Sequence, residues 1–519
     1  MYPGTFAETT PDKPAAIMAG SGETMTFKQL DDRSNQLAQL LWAAGLRRGD
    51  HVAIFMENRL EYFVCYWAAV RSGLYITAIN RYLQSDESSY IVNDSGSQAL
   101  FTSAAMADLV ADLPELSPGL KVLLSVGGGI DGFDDFDAAL DANPAEKLAS
   151  QPRGEAMLYS SGTTGRPKGI KRPLVDIEID DPSGMSGVTM LLTGLFGATA
   201  DATYLSPAPM YHSAPLGFTT SFQSMGATVV VMERFDAADA LRYLEQYEIT
   251  HSQWVPTMFS RMLKLSDEER SGFDWSKHQM AVHAAAPCPV EVKKQMFDLW
   301  GPIIYEYYAG TEVNGFVFCT PDDWLGHPGT VGKSILGPIH ICDEEGTVLP
   351  NGESGTIYFE REEMPFEYHN DPEKTRGAQH PDHPTWSTLG DVGYVDDEGY
   401  LFLTDRKAFM IISGGVNIYP QEIEDCLIMH PKVADVAVFG VPNADLGEEV
   451  KAVVQPEAGI EQTPELAQEL LTYTAENIAR YKVPRTLDFR DELPRLPTGK
   501  LYKRLLRDEY WAGHDTKLL

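Results

Sequence analysis

Hydrophobic and polar positions follow two rhythms along the first 320 residues. Between 27 and 44, Leu30, Leu37, Leu40 and Leu41 recur at helical spacing and predict one amphipathic helix. Thr26 and Gln29 precede it with the spacing of a capping box, and Gly45 stops it. Residues 51–56, apolar from Val52 onward, read as a short buried strand, and 60–72 as the next helix. Further strand-like runs at 121–126, 155–160, 226–232 and 251–255 are separated by helical patterns. Such alternation predicts βαβ crossovers, hence parallel sheets with helices on both faces. Past about residue 320 the texture changes. Residues 329–402 are strand-like and punctuated by Asp343-Glu344-Glu345-Gly346, Asn351-Gly352 and Asp396-Asp397-Glu398-Gly399, turn chemistry that predicts an antiparallel or barrel-like subdomain. From 409 onward strands at 433–440 and 450–455 and a helix at 464–479 predict a small α/β domain. The expected boundaries are an N-terminal domain over 1–403, a junction at 404–408 and a C-terminal domain over 409–519.

Composition narrows the class. At 519 residues the chain has room for three or more compact units, and 43% hydrophobic residues rule out disorder as its main state. Asp and Glu number 75 against 41 Lys and Arg, for a net charge of −34. That balance argues against nucleic-acid or anionic-membrane binding, because such a field repels phosphate polymers. Five cysteines without a Cys-x-x-Cys pair form neither a disulfide framework nor a zinc ribbon and fit a reducing cytoplasm. The start, Met1-Tyr2-Pro3-Gly4-Thr5, lacks a secretory pattern. The most apolar stretches, 62–70 and 188–200, fall short of the ~20 residues of a bilayer span. A cytoplasmic protein is expected, with peripheral membrane contact left open and oligomeric state, a homodimer included, not readable.

Three glycine-bearing segments compete as phosphate loops. Gly127-Gly128-Gly129-Ile130-Asp131-Gly132 matches G-x-G-x-x-G in form, but Asp131, Asp134, Asp135 and Asp137 crowd the place a pyrophosphate needs, so it reads as a surface turn. Gly332-Lys333-Ser334 ends like a Walker A loop but has His327 where the first glycine belongs. The third is Tyr159-Ser160-Ser161-Gly162-Thr163-Thr164-Gly165-Arg166-Pro167-Lys168-Gly169, directly after a strand. Its glycines let backbone amides turn toward an anion, its hydroxyls add donors, and its cations supply charge. Residues 160–173 hold four basic residues and no acidic one in a strongly acidic chain. Phosphate handling is the reading this segment supports.

With that loop, a series of ordered motifs becomes recognisable: Met210-Tyr211-His212-Ser213, Tyr307-Tyr308-Ala309-Gly310-Thr311-Glu312, Ser387-Thr388-Leu389-Gly390-Asp391, Thr404-Asp405-Arg406, Ile412-Ser413-Gly414-Gly415-Val416-Asn417, and Leu496-Pro497-Thr498-Gly499-Lys500. Together they resemble the adenylate-forming enzymes, specifically acyl-CoA synthetases and fatty-acid–CoA ligases, over essentially the whole chain. The resemblance implies an α/β fold. A large N-terminal domain would hold two doubly wound αβ subdomains and a distorted β-barrel, followed by a small mobile C-terminal α+β domain. It implies an enzyme that uses ATP, Mg²⁺ and coenzyme A to activate a carboxylic acid. A carrier-protein acceptor and a catalytically silent adenylate-binding module are the alternatives.

The resemblance also implies roles. Ser160, Ser161, Gly162, Thr163, Thr164, Gly165 and Lys168 would hold the β- and γ-phosphates, Thr311 the α-phosphate and Glu312 the Mg²⁺. Tyr308 would stack on adenine, Asp391 and Arg406 would bind the ribose, and Ala285 lies in a small-residue loop that lets the adenylate approach the backbone. Lys500 would be the catalytic lysine of adenylation, within 482–507, where eight basic residues face three acidic ones. His212, Trp254 and Gly310 would border the acyl group, although a core role is open for His212 and Trp254. Gly414 and Gly415 would guide the pantetheine of CoA. The hinge position of the family falls on Ala408, with Lys407 one place earlier, so the pivot stays open between them. The acid expected is medium- or long-chain aliphatic or bulky cyclic.

Overall fold

The computed structural model describes residues 2–160, 167–406, 409–413, 416–443, 446–495 and 501–512. Its packing divides into two compact units, the first made of 1–254, 261–283 and 365–376, the second of 255–260, 284–364 and 377–519.

In the first unit the two predicted rhythms become two parallel sheets. Thr26 caps Phe27–Ala43 as read, its hydroxyl accepting from the Gln29 N–H while the Gln29 side chain answers the Thr26 N–H. His51–Phe55 is buried along its length and pairs in parallel with Tyr75–Ala78 on one side and Ser97–Ser103 on the other. Val122–Val126 and Asp134–Asp135 continue that sheet beyond Ser97–Ser103, and Glu155–Ala156 closes its other edge. Unbroken apolar strands belong where both faces are covered, and each Val, Ile or Phe so buried contributes about 1.5–3 kcal/mol. The second sheet runs Met280–His283, His251–Trp254, Thr203–Ser206, Thr228–Val231 and Pro14–Met18 in parallel, with Thr24–Thr26 antiparallel at its edge. The strand expected over 155–160 is in fact two. Glu155–Ala156 joins the first parallel sheet, whereas Leu158–Ser160 turns away to pair antiparallel with Lys168–Lys171. Buried Met157, between them, donates its N–H to the Ile76 carbonyl at 2.9 Å.

The second unit carries the antiparallel structure. Ile304–Tyr308, Phe316–Cys319 and Lys333–Leu336 pair in sequence. The segment expected to form a distorted barrel gives a sheet ordered Ile339–Cys342, Gly355–Glu360, Asp391–Val395, Leu401–Arg406, with no closing pair among the described residues. Further along, Val433–Asn443 and Gly447–Pro456 form a long hairpin beside Ile411–Ser413 and Thr486–Phe489, over a core that includes Ile423, Val436, Val454 and Leu470. Among the described residues no helix is long and apolar enough to cross a membrane.

Candidate active site

The phosphate-loop segment begins and ends on one hairpin. Lys168 stands opposite Ser160, and Gly169 opposite Tyr159, so the strands deliver residues 161–167 as the connection between them. Glu367–Tyr368 adds a third strand on the Lys168 side, and Lys168 Nζ lies 4.7 Å from the centre of the Tyr368 ring. A β-carbon on Gly169 would come within 2.9 Å of Met157 Cε and 3.0 Å of Tyr159 Cζ. A larger residue there would have to move the Met157 and Tyr159 side chains. One helix, Ser85–Ser95, holds both stems. Its Tyr90 hydroxyl donates to the Pro167 carbonyl at 3.3 Å, and its Asp94 carboxylate accepts the Tyr159 hydroxyl at 2.6 Å. Burial, then that bond to Asp94, pushes the Tyr159 phenol well above its ordinary range and keeps it a donor. Neither Tyr90 nor Asp94 carries a motif, and nothing in their local sequence points to the loop.

Also in the first unit, His212 is half-buried at the N-cap of Ser213–Ser224, its ring 4.1 Å from that of Tyr211. Trp254 is 1% exposed and donates its indole N–H to Ser252 Oγ at 2.6 Å, so its polar edge is satisfied inside the fold.

The residues assigned to adenosine, the α-phosphate and Mg²⁺ lie in the second unit. Asp391 opens Asp391–Val395 and is 7% exposed, and its Cα partner across the ladder is Arg406 at the end of Leu401–Arg406. The Tyr308 hydroxyl donates to Asp391 Oδ2 at 2.6 Å. Two residues assigned to adenosine by separate motifs, Tyr308 and Asp391, thus meet, and the backbone of a third, Arg406, pairs opposite Asp391. Ile304–Tyr308 leads straight into the turn holding Gly310, Thr311 and Glu312. Glu312 is 8% exposed, and Val313 after it sits at φ 53°, a rare conformation for a β-branched residue. A β-carbon on Gly310 would meet Leu389 Cδ1 at 2.3 Å and Glu312 Oε2 at 2.9 Å. The 307–312 and 387–391 motifs are therefore interlocked, and Asn314 ties them again by donating to the Ser387 carbonyl at 3.3 Å. Ala285, in the small-residue loop, adopts φ 75°. Non-glycine residues held in such conformations persist where the surroundings over-determine them, often beside ligands. Sequence reasoning missed Val313 and Asn314, although both follow Glu312 directly. It also missed the buried ion pair of Lys293 with Glu306, 2.6 Å apart, which fastens Val290–Trp300 to the strand carrying Tyr308.

Ser161, Gly162, Thr163, Thr164, Gly165, Lys407, Ala408, Gly414, Gly415 and Lys500 lie outside the described residues, as do the side chains of Ser160 and Arg406. Their flanks are nonetheless informative. Ile411–Ser413 and Val416–Ile418 pair as a hairpin around Gly414 and Gly415, and Arg495 bridges Leu501 at the base of the segment that ends in Lys500.

A sequence profile of the AMP-binding enzymes matches residues 5–368, and one of the AMP-binding enzyme C-terminal domain matches 422–500. The chain is 30% identical to the long-chain-fatty-acid–CoA ligase FadD13 of Mycobacterium tuberculosis, over 98% of this chain and 97% of the relative. It is equally 30% identical to the fatty acid–[acyl-carrier-protein] ligase ScoC of Streptomyces coeruleorubidus, over 99% and 96%. Among solved structures it resembles the o-succinylbenzoate CoA synthetase MenE of Bacillus subtilis in complex with its acyl-adenylate intermediate. That likeness has a TM-score of 0.80 at 27% identity and covers 98% of this chain and 97% of the other.

Proposed function

This chain belongs to the AMP-binding enzymes, the ATP-dependent acid–thiol ligases, and on that premise we propose that it joins a medium- or long-chain aliphatic, or bulky cyclic, carboxylic acid to CoA through an acyl-adenylate. A carboxylate oxygen attacks the α-phosphorus of ATP and pyrophosphate leaves. The CoA thiol then gives up its proton, attacks the acyl carbonyl and expels AMP. Neither step needs covalent help from the protein, so positioning and electrostatic stabilisation do the catalytic work.

The observation that carries the reading is the hydrogen bond of Tyr308 to buried Asp391, with the Arg406 backbone paired opposite Asp391. A buried carboxylate is an acceptor for two ribose hydroxyls, and the aromatic ring hydrogen-bonded to it offers a face to adenine. Thr311, three residues beyond Tyr308, is assigned the α-phosphate. The hairpin loop with Ser160 and Lys168 is assigned the β- and γ-phosphates. Glu312 would hold Mg²⁺. One buried carboxylate suits an ion that takes its remaining ligands from phosphate and water, and no cluster of three His, Cys, Asp or Glu able to hold a metal occurs among the described residues. When bound, the ion would neutralise charge on the phosphates. Lys500 would bring a cation to the carboxylate and α-phosphate during adenylation. Gly414 and Gly415 would border the path of the thiol afterwards, so the 409–519 domain alternates about a pivot at 407–408. The size of the acid rests on the aromatic and methionine residues Phe218, Trp254 and Met258, and on the similarity to a long-chain ligase.

The test is AMP release from ATP and Mg²⁺ with a panel of acids from acetate to long-chain and polycyclic ones, each with CoA or with a phosphopantetheinyl carrier protein. The expected result is CoA-dependent AMP release with the larger acids. Release that requires the carrier protein would transfer the acceptor assignment to the reading that the similarity to ScoC favours, and no release with any acid would reject the activity.

A further inference from the structure

Three of the chain's 12 histidines gather on one ring. Trp386 is 9% exposed and stands directly before the 387–391 motif. The His340 ring lies 3.6 Å from its centre at an interplanar angle of 3°, and the His383 ring 4.0 Å away at 17°. Two near-parallel rings that close cannot share a face, so the indole is held between them. His380 approaches edge to face at 5.2 Å and 62°. Each histidine is itself fixed. His340, on Ile339–Cys342, donates from Nε2 to Glu360 Oε2 at 2.8 Å, and Glu360 is the Cα partner of Trp386. His383 opens the turn His383-Pro384-Thr385-Trp386, closed by the Trp386 N–H donating to the His383 carbonyl at 2.9 Å. Proline is favoured at the second position of such a turn, which brings the first ring over the fourth. His380 is 3% exposed, donates from Nε2 to the Gly346 carbonyl at 2.8 Å and accepts the Asp382 N–H on Nδ1 at 3.1 Å.

This clamp sits where the backbone is held by little else. Trp386–Ser387 is a strand of two residues, opposite Glu360 and Phe359. The chain then leaves Gly355–Glu360, turns through Gly390 at φ 80°, and rejoins the same strand at Val392, opposite Thr356. Asp391 lies at the exit of that excursion, so its place depends on how firmly the short strand is anchored. We propose that His340 and His383 are positioning residues for nucleotide binding. By clamping Trp386 they fix the near end of the 388–390 turn and, through it, the Asp391 carboxylate. Stacked and edge-to-face rings hold a preferred geometry beyond the burial they provide, which suits a locating role. A second stack, His327 on Tyr400 at 3.8 Å, lies at the other end of the ladder between Asp391–Val395 and Leu401–Arg406. It offers the same kind of contact without a link to the 387–391 motif.

Because this role rests on the function proposed above, the wild-type protein is measured first, by AMP binding in titration calorimetry and by ATP–pyrophosphate exchange with the panel of acids. His383 is exposed, so its truncation leaves no cavity in the core. His383→Ala should weaken AMP binding and raise KM for ATP roughly tenfold, with kcat within about twofold, because the ribose is held alike in the ground and transition states. His340→Ala should do the same. His383→Phe keeps a ring on Trp386 and should bring both values back to within about twofold of wild type. His327→Ala should lower the thermal unfolding midpoint and leave AMP binding as in wild type. Unchanged AMP affinity in either His383→Ala or His340→Ala, a loss that His383→Phe does not repair, or an equal loss in His327→Ala would each overturn the positioning role. A wild type that neither binds AMP nor exchanges pyrophosphate with any acid would overturn the assigned activity and this role together, and it is told apart by needing no substitution.

Discussion

At 158–171 the residues assigned to phosphate are consecutive, and one hairpin delivers them. At Asp391 the residues assigned to the nucleoside come from three stretches, 308–312, 387–391 and 406, gathered by a strand ladder and one 2.6 Å hydrogen bond. In the hairpin each residue is assigned a phosphate contact of its own. In the corner Tyr308 and Asp391 also orient each other. Substitutions should thus be costlier in the corner, and the most severe is Asp391→Ala, which removes the ribose acceptor and the partner of the Tyr308 hydroxyl together. Two hydrogen bonds to a charged group amount to about 3 kcal/mol, so kcat/KM for ATP should fall roughly a hundredfold or more. Lys168→Met removes one point charge from the hairpin and keeps its length against the Tyr368 ring. A loss of about 2 kcal/mol, roughly thirtyfold and mainly in KM for ATP, is expected. A Lys168→Met defect larger than that of Asp391→Ala would reverse the comparison.

Gly310→Ala sharpens it without touching a charge. The added methyl has to displace Leu389 or Glu312, and overpacking of this kind costs about 1–3 kcal/mol. Thermal unfolding should show a lower midpoint, and adenylation should slow about tenfold as the Glu312 carboxylate shifts. The same change at Gly326, where nothing lies within 4 Å of the new β-carbon, should do neither. Equal behaviour of the two variants would mean that the interlock between the 307–312 and 387–391 motifs is slack.

This contrast also governs how much was legible in the sequence. The Thr26–Gln29 capping box was readable because its two bonds join residues three apart, and the phosphate hairpin because its chemistry is contiguous. The opposition of Asp391 and Arg406 was not. Their register passes through an irregularity between Val392 and Gly393, and a bulge moves every later partner by one place. The 155–160 run read as one strand because its apolar pattern is continuous, whereas its two halves found partners in different sheets. Tyr90 and Asp94 were invisible for a related reason. They act on Pro167 and Tyr159 through contacts more than 60 residues away in sequence, and one chain gives no sign of which distant residues meet.

The smallest expected effect concerns pH and the surroundings of the hairpin. His51 is buried, stacks on Tyr75 at 4.7 Å and lies 6.1 Å from the ring of His369, while Lys171, on the second hairpin strand, sits 5.0 Å over Tyr75. Burial first, then the nearby positive charge of Lys171 and His369, lowers its pKa to about 4. In the unfolded chain the imidazole titrates near 6.5, so between pH 6.5 and about 4 the unfolded state takes up a proton that the folded state refuses. Stability is therefore full above pH 6.5 and falls as the solution is acidified. Between pH 7 and 5.5 this one group should remove about 1 kcal/mol. His51→Phe keeps the stack on Tyr75 and cannot titrate. Its denaturation midpoint should drop by correspondingly less over that interval, with adenylation at pH 7.5 unchanged. His278, also buried and held to about 3, acts in the same direction, so the slope should shrink without vanishing. If His51→Phe and wild type lose stability in parallel, the proton uptake belongs to His278 and its neighbours, and acid reaches the protein elsewhere than beneath the phosphate hairpin.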